Sequence, residues 1–108
     1  GVRYQLDQQN TIAPAYPFMT KTANYSIAAS DKVIEVTATI NTTQTLPSAV
    51  GIAGQEFTII NAGTAVVTVA TTSSQTIGNA STGNPTTFTL NSTEWITVIS
   101  NGTNYRVV

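Results

Sequence analysis

The chain contains no cysteine and no histidine. Disulfides and thiolate metal sites are thereby excluded, as are the nucleophilic triads and zinc centres that rely on imidazole or thiolate. Charge is scarce as well. Lys, Arg, Asp and Glu make up 8% of the 108 residues, against about a quarter in an ordinary soluble domain. The four cations, Arg3, Lys21, Lys32 and Arg106, are scattered and the net charge is −1. Phosphate neutralisation needs clustered Lys or Arg, so nucleic-acid binding is not expected. No apolar run approaches the ~20 residues of a membrane helix, and no basic segment precedes an apolar one at the start. Membrane insertion and an amino-terminal address are therefore not expected.

What is abundant is Thr, Ser and Asn. Neutral polar groups desolvate at far lower cost than charges, so such a surface tolerates burial against another chain and the composition favours an oligomer. The length fits one domain that buries roughly 60–70% of the surface its unfolded chain exposes. Residues 1–20 hold Pro14 and Pro17 and no sustained period, yet Tyr4, Leu6, Ile12, Tyr16, Phe18 and Met19 are apolar. This predicts an extended amino-terminal arm whose apolar side chains pack against something outside the arm.

From Tyr25 onward the period becomes two. In VIEVTATI, Ile34, Val36, Ala38 and Ile40 share one face of a half-buried strand, with Val33, Glu35, Thr37 and Thr39 on the other. Further strands are expected at Phe57–Ile60, Ala65–Ala70, Thr86–Leu90, Trp95–Ile99 and Asn104–Val108. Asn101-Gly102 suits the positive φ of a tight turn, so the last two should be antiparallel neighbours. The only helix candidate, Ala49–Gly54, is short and glycine-broken. An all-β fold follows, a single antiparallel β-sandwich or jelly-roll-like domain over residues 21–108. The segment TLPSA, residues 45–49, reads as a corner: Pro47 cannot continue a ladder, Leu46 is the last core anchor, and Gly51 and Gly54 allow a tight path onward.

Several landmarks then stand in a recognisable order: KTANY at the start, Asp31 before a VI strand, TLPSA, a glycine, FTIINAG, a valine-rich strand, QTI and a closing GTNY. Over residues 21–108 this set resembles a β-domain that recurs in tail fibres, tail spikes and other virion proteins of tailed bacteriophages. The resemblance implies a non-enzymatic virion component such as a head fibre, decoration protein or tail-fibre domain, located on the particle after assembly in the bacterial cytoplasm. It implies a homotrimer, with the arm residues named above docking it to other capsid or tail proteins.

Carboxylates are the only acid–base groups to weigh. Asp31 and Glu35, four apart, would share a strand face at ~13 Å, too far for a glycosidase pair. Glu56 and Glu94 read as solvated strand ends. The carboxylates are too dispersed for a calcium cage, so no metal and no cofactor is expected. Asn24, Asn41, Asn79, Asn91 and Asn101 form N-x-S/T sequons, which a bacterial virus would leave bare. The alternative function is recognition of a host-surface glycan, with Trp95 and Tyr105, joined by Tyr25 and Phe88, as a stacking platform. Strand periodicity favours core positions for Trp95 and Tyr105 over that role.

Overall fold

The computed structural model describes residues 17–79 and 83–108. Among them lie ten strands and no helix: β1 (Phe18–Lys21), β2 (Tyr25–Ser26), β3 (Val33–Val36), β4 (Thr42–Thr45), β5 (Glu56–Asn61), β6 (Val67–Ala70), β7 (Ile77–Gly78), β8 (Thr87–Leu90), β9 (Trp95–Ser100) and β10 (Tyr105–Val107). They form a six-stranded sheet, in the order β1-β3-β5-β9-β10-β7, and a four-stranded sheet, in the order β2-β4-β6-β8.

The all-β expectation holds, but the antiparallel sandwich is corrected. Strands β1, β3 and β5 run parallel, as do β2, β4 and β6, and β7 pairs parallel with β10. Among the strands, antiparallel pairing is confined to β5–β9, β9–β10 and β6–β8, with one isolated antiparallel bridge between Asn79 and Gly83. The reason is the path of the chain. From β1 to β6 consecutive strands alternate between the two sheets, and each return to a sheet arrives in the same direction as the strand it left. The chain winds as a coil of two-strand rungs, β1–β2, β3–β4 and β5–β6, and the pair β8–β9 closes it with a rung of opposite sense.

The rungs are stacked through their corners. Thr37 donates its N–H to the Lys21 carbonyl, and Ala62 and Thr64 donate theirs to Val36 and Ala38. Asn24 and Asn41 do equivalent work on successive rungs: the Oδ1 of Asn24 accepts from the Thr43 N–H at 2.8 Å, and that of Asn41 from the Val66 N–H at 3.0 Å. Gly63 is required by this stacking, because a Cβ there would meet the carbonyl oxygen of Ala38 and lie 2.8 Å from its nitrogen.

The core lies between the sheets. Ile34, Val36, Phe57, Ile59, Ile96 and Val98 enter it from the larger sheet, and Val67, Val69 and Leu90 from the smaller. Ile40 does not join them. The strand read as VIEVTATI stops at Val36, residues 37–41 turn the corner into the other sheet, and Ile40 is left 65% exposed there. Residues 49–54 form turns, with Gly51 and Gly54 at φ 81° and 88°. The hairpin at Asn101-Gly102 is as expected, with Gly102 at φ 94° and Ser100 paired with Tyr105.

The expected boundary at residue 20 falls inside β1. Phe18, Met19 and Thr20 are ladder residues opposite Val33, Ile34 and Glu35, and Met19 packs on the core. Tyr4, Leu6, Ile12 and Tyr16 lie outside the described residues.

Candidate functional site

The TLPSA corner is held by side chains from three distant segments. Tyr105 donates its phenol to the Pro47 carbonyl at 2.8 Å. Gln75 spans the next two residues, accepting from the Ala49 N–H at 2.9 Å and donating to the Ser48 hydroxyl at 3.0 Å. Ser100 donates to the Ala49 carbonyl at 2.7 Å. Leu46 is fully buried beneath them. These bonds are spent on the fold, which makes the corner a clamp between distant segments.

Tyr105 therefore cannot stack on a sugar. Its ring is fully buried, edge-on to Phe57 at a centroid distance of 6.1 Å. Burial pushes its phenol up to about 12. It sits at the first position of β10, on the inward parity of the larger sheet.

Trp95 does the opposite of what periodicity favoured. It opens β9 on the outward parity, across from Ile60, and is 65% exposed. Beside it the turn Asn91–Glu94 carries the chain from one sheet to the other. The turn is fixed by the Asn91 N–H donating to the Glu94 carboxylate at 2.7 Å and by the Glu94 N–H donating to the Asn91 carbonyl at 3.0 Å. Thr93 sits at φ 74°, a left-handed conformation rarely taken by a β-branched residue. Ser92 ties the turn to the corner below by donating to the Gly63 carbonyl at 2.6 Å.

Together Trp95, Glu94, Thr93 and the edge strand β8 line an open groove of about 680 Å³, with Phe88 on its wall. Of the four aromatics considered for a platform, Trp95 and Phe88 are brought together here. An exposed indole, a carboxylate and neutral amides and hydroxyls are a combination that can stack on and hydrogen-bond to a sugar ring. The free backbone edge of β8 runs along the same groove.

Tyr25 lies apart, in β2 on the opposite edge of the smaller sheet. Its phenol donates to Asp31 at 2.6 Å, and the Lys21 ammonium stands 4.0 Å from its ring centroid. The hydrogen bond to Asp31, then burial and the nearby negative charge, raise its pKa. Asp31 also accepts from the Ala28 N–H at 2.8 Å and is buried at a turn before β3. It consequently shares no strand face with Glu35, which lies in β3 with Thr20 donating to it. No group of three or more carboxylates that could hold a metal occurs among the described residues.

Among the buried amides missed by sequence reasoning, two tie distant segments together. Asn61 is 1% exposed; its amide donates to the Ala65 and Leu90 carbonyls at 2.8 and 3.0 Å, and its oxygen accepts from the Gly63 N–H. It joins the end of β5 to β8 in the other sheet. Gln75 is the second. The available signal was an amide placed directly before A-G or T-I, where the chain leaves or approaches a strand. No family model, curated protein or solved structure matches this chain.

Proposed function

We propose that this chain is a non-enzymatic structural component of a tailed-bacteriophage particle, a head fibre, decoration protein or tail-fibre domain, that assembles as a homotrimer and docks through residues preceding β1. One observation carries the reading. The landmarks behind the resemblance bond to one another: Tyr25 of KTANY to Asp31, Tyr105 of GTNY and Gln75 of QTI to TLPSA, and Asn61 to Gly63 within FTIINAG. They are the ties of a scaffold, which supports a shared architecture and a structural job. The low charge supports assembly, since neutral surfaces are cheaply buried.

The test is biochemical. Purified virions of the phage encoding the chain, probed with an antibody to it, should carry it at fixed copy number. Its presence only in the soluble fraction of infected cells would overturn the proposal.

A second reading is favoured by the groove: recognition of a host-surface glycan through Trp95, Phe88 and Glu94. Binding to host polysaccharide that is lost in Trp95→Ala, with the β-type circular dichroism unchanged, supports it. Equal binding by both proteins removes the groove from consideration.

A further inference from the structure

The pairing register places an unexpected set of side chains on the outer face of the six-stranded sheet. One row across it runs Phe18, Val33, Thr58 and Thr97, with Val108 bonded beside Thr97; the next runs Thr20, Glu35, Ile60 and Trp95. A third holds Glu56, Ile99 and Arg106. Three of the five large apolar side chains most exposed among the described residues, Phe18 at 58%, Trp95 at 65% and Val108 at 70%, stand on this one face. Val33, Ile60 and Ile99 lie between them and are themselves incompletely buried.

We infer that this face is the surface through which copies of the chain associate. It gives a location to the oligomer proposed above and rests on that part of the reading. Polar groups of the face are partly paired within it: the Thr58 and Thr97 hydroxyls bond each other at 2.9 Å in its centre, and Thr20 donates to Glu35 at 3.4 Å. Removing water from them therefore strands few groups. Charges of both signs flank the apolar band, Glu35 and Glu56 on β3 and β5 and Arg106 on β10. That mixture suits a partner carrying the same mixture, namely another copy, better than one of a single sign.

The extent is also adequate. Strand spacing of ~4.8 Å and ~6.8 Å between successive outward residues give these twelve positions a flat area on the order of 400 Å². Protruding Phe, Trp and Ile side chains carry accessible surface well beyond their footprint, which brings the face towards the ~800 Å² per partner of a stable contact.

Trp95 is the sole tryptophan, so its fluorescence reports on the face directly. Sedimentation of the full chain should show an oligomer, with tryptophan emission blue-shifted at high concentration and moving to the red as dilution dissociates it. Thr97→Arg sets a charge in the centre of the face and should weaken association at least tenfold, leaving a monomer with native β-type circular dichroism and red-shifted emission. Should that variant not fold, Val108→Lys at the chain end makes the same test. Ile40→Lys and Val50→Lys, equally exposed apolar positions off this face, should associate like the unaltered chain. An oligomer untouched by Thr97→Arg and Val108→Lys would move the interface elsewhere and leave the oligomer standing. A monomer with red emission at every concentration would overturn both. A monomer with blue emission that turns red when residues 1–16 are removed would also overturn the inference, the occupant then being the chain's own amino-terminal segment.

Discussion

Tyr105 illustrates how a single buried phenol ties stability to pH. Its pKa is about 12 in the folded chain against 10.0 ordinarily. The raised value means the folded state holds the proton more tightly. Its contribution is complete below pH 10 and is lost as the pH rises through about 12. Tyr25, raised by its bond to Asp31, acts with the same sign. Thermal melts from pH 8 to 12 should fall steeply at the alkaline end. Tyr105→Phe should lose about 1 kcal/mol at neutral pH through the missing bond to Pro47, yet show a shallower alkaline decline. An unchanged alkaline slope would place its origin elsewhere. Gly63 makes the complementary case through shape. Its neighbours at Ala38 are backbone atoms, which cannot swing aside, so Gly63→Ala should cost about 1–3 kcal/mol in chemical denaturation. An unchanged denaturation midpoint would mean that the corners do not stack as tightly as described.

The strands with clear alternation were legible because burial itself has period two: β5 and β9 alternate without a break and were placed within a residue, as was β10, whereas β3 was read four residues too long. The arrangement of those strands was hidden. Along the larger sheet the register advances 15 residues from Phe18 to Val33 but 25 from Val33 to Thr58. In the smaller it advances 19 from Tyr25 to Gln44 and 25 from Thr42 to Val67. Unequal corners leave no fixed repeat to detect, so a coil reads as a string of independent strands. Trp95 went astray for a related reason. Alternation says which residues share a face, and it cannot say that a second apolar face remains uncovered. The TLPSA corner was legible because Pro47 and the glycines have local conformational demands, whereas its partners Gln75 and Ser100 come from far along the chain. Leu46→Ala should lower stability by ~2–5 kcal/mol and Pro47→Ala by less, measured by thermal melting; an unchanged melting temperature in Leu46→Ala would mean that the leucine does not anchor the corner. β1 has no such local signal and is recognised by its pairing alone. A chain beginning at Pro17 should keep the melting temperature of the full protein, and one beginning at Thr22, which lacks β1, should melt several degrees lower. If the shorter chain melts unchanged, β1 contributes nothing to the domain.

For the molecule as a whole, the proposed attachment and the proposed self-association occupy different parts of the sequence and can be separated. The chain beginning at Pro17 retains every residue of the outer face and should associate as the full chain does. It should also fail to load onto particles lacking the protein, as judged by co-sedimentation. Normal loading would shift attachment from the amino-terminal segment to the β-domain.

The position of β9 has a consequence for how the protein is made. It lies in the interior of the larger sheet, between β5 and β10, yet it is the ninth of the ten strands in chain order. During synthesis the first three rungs emerge with one side of β5 unpaired and Ile59 and Phe57 lacking their neighbours Ile96 and Val98. The sheet can close only once β9 has left the ribosome, so the domain should complete its folding after the rungs have emerged and not rung by rung as they appear.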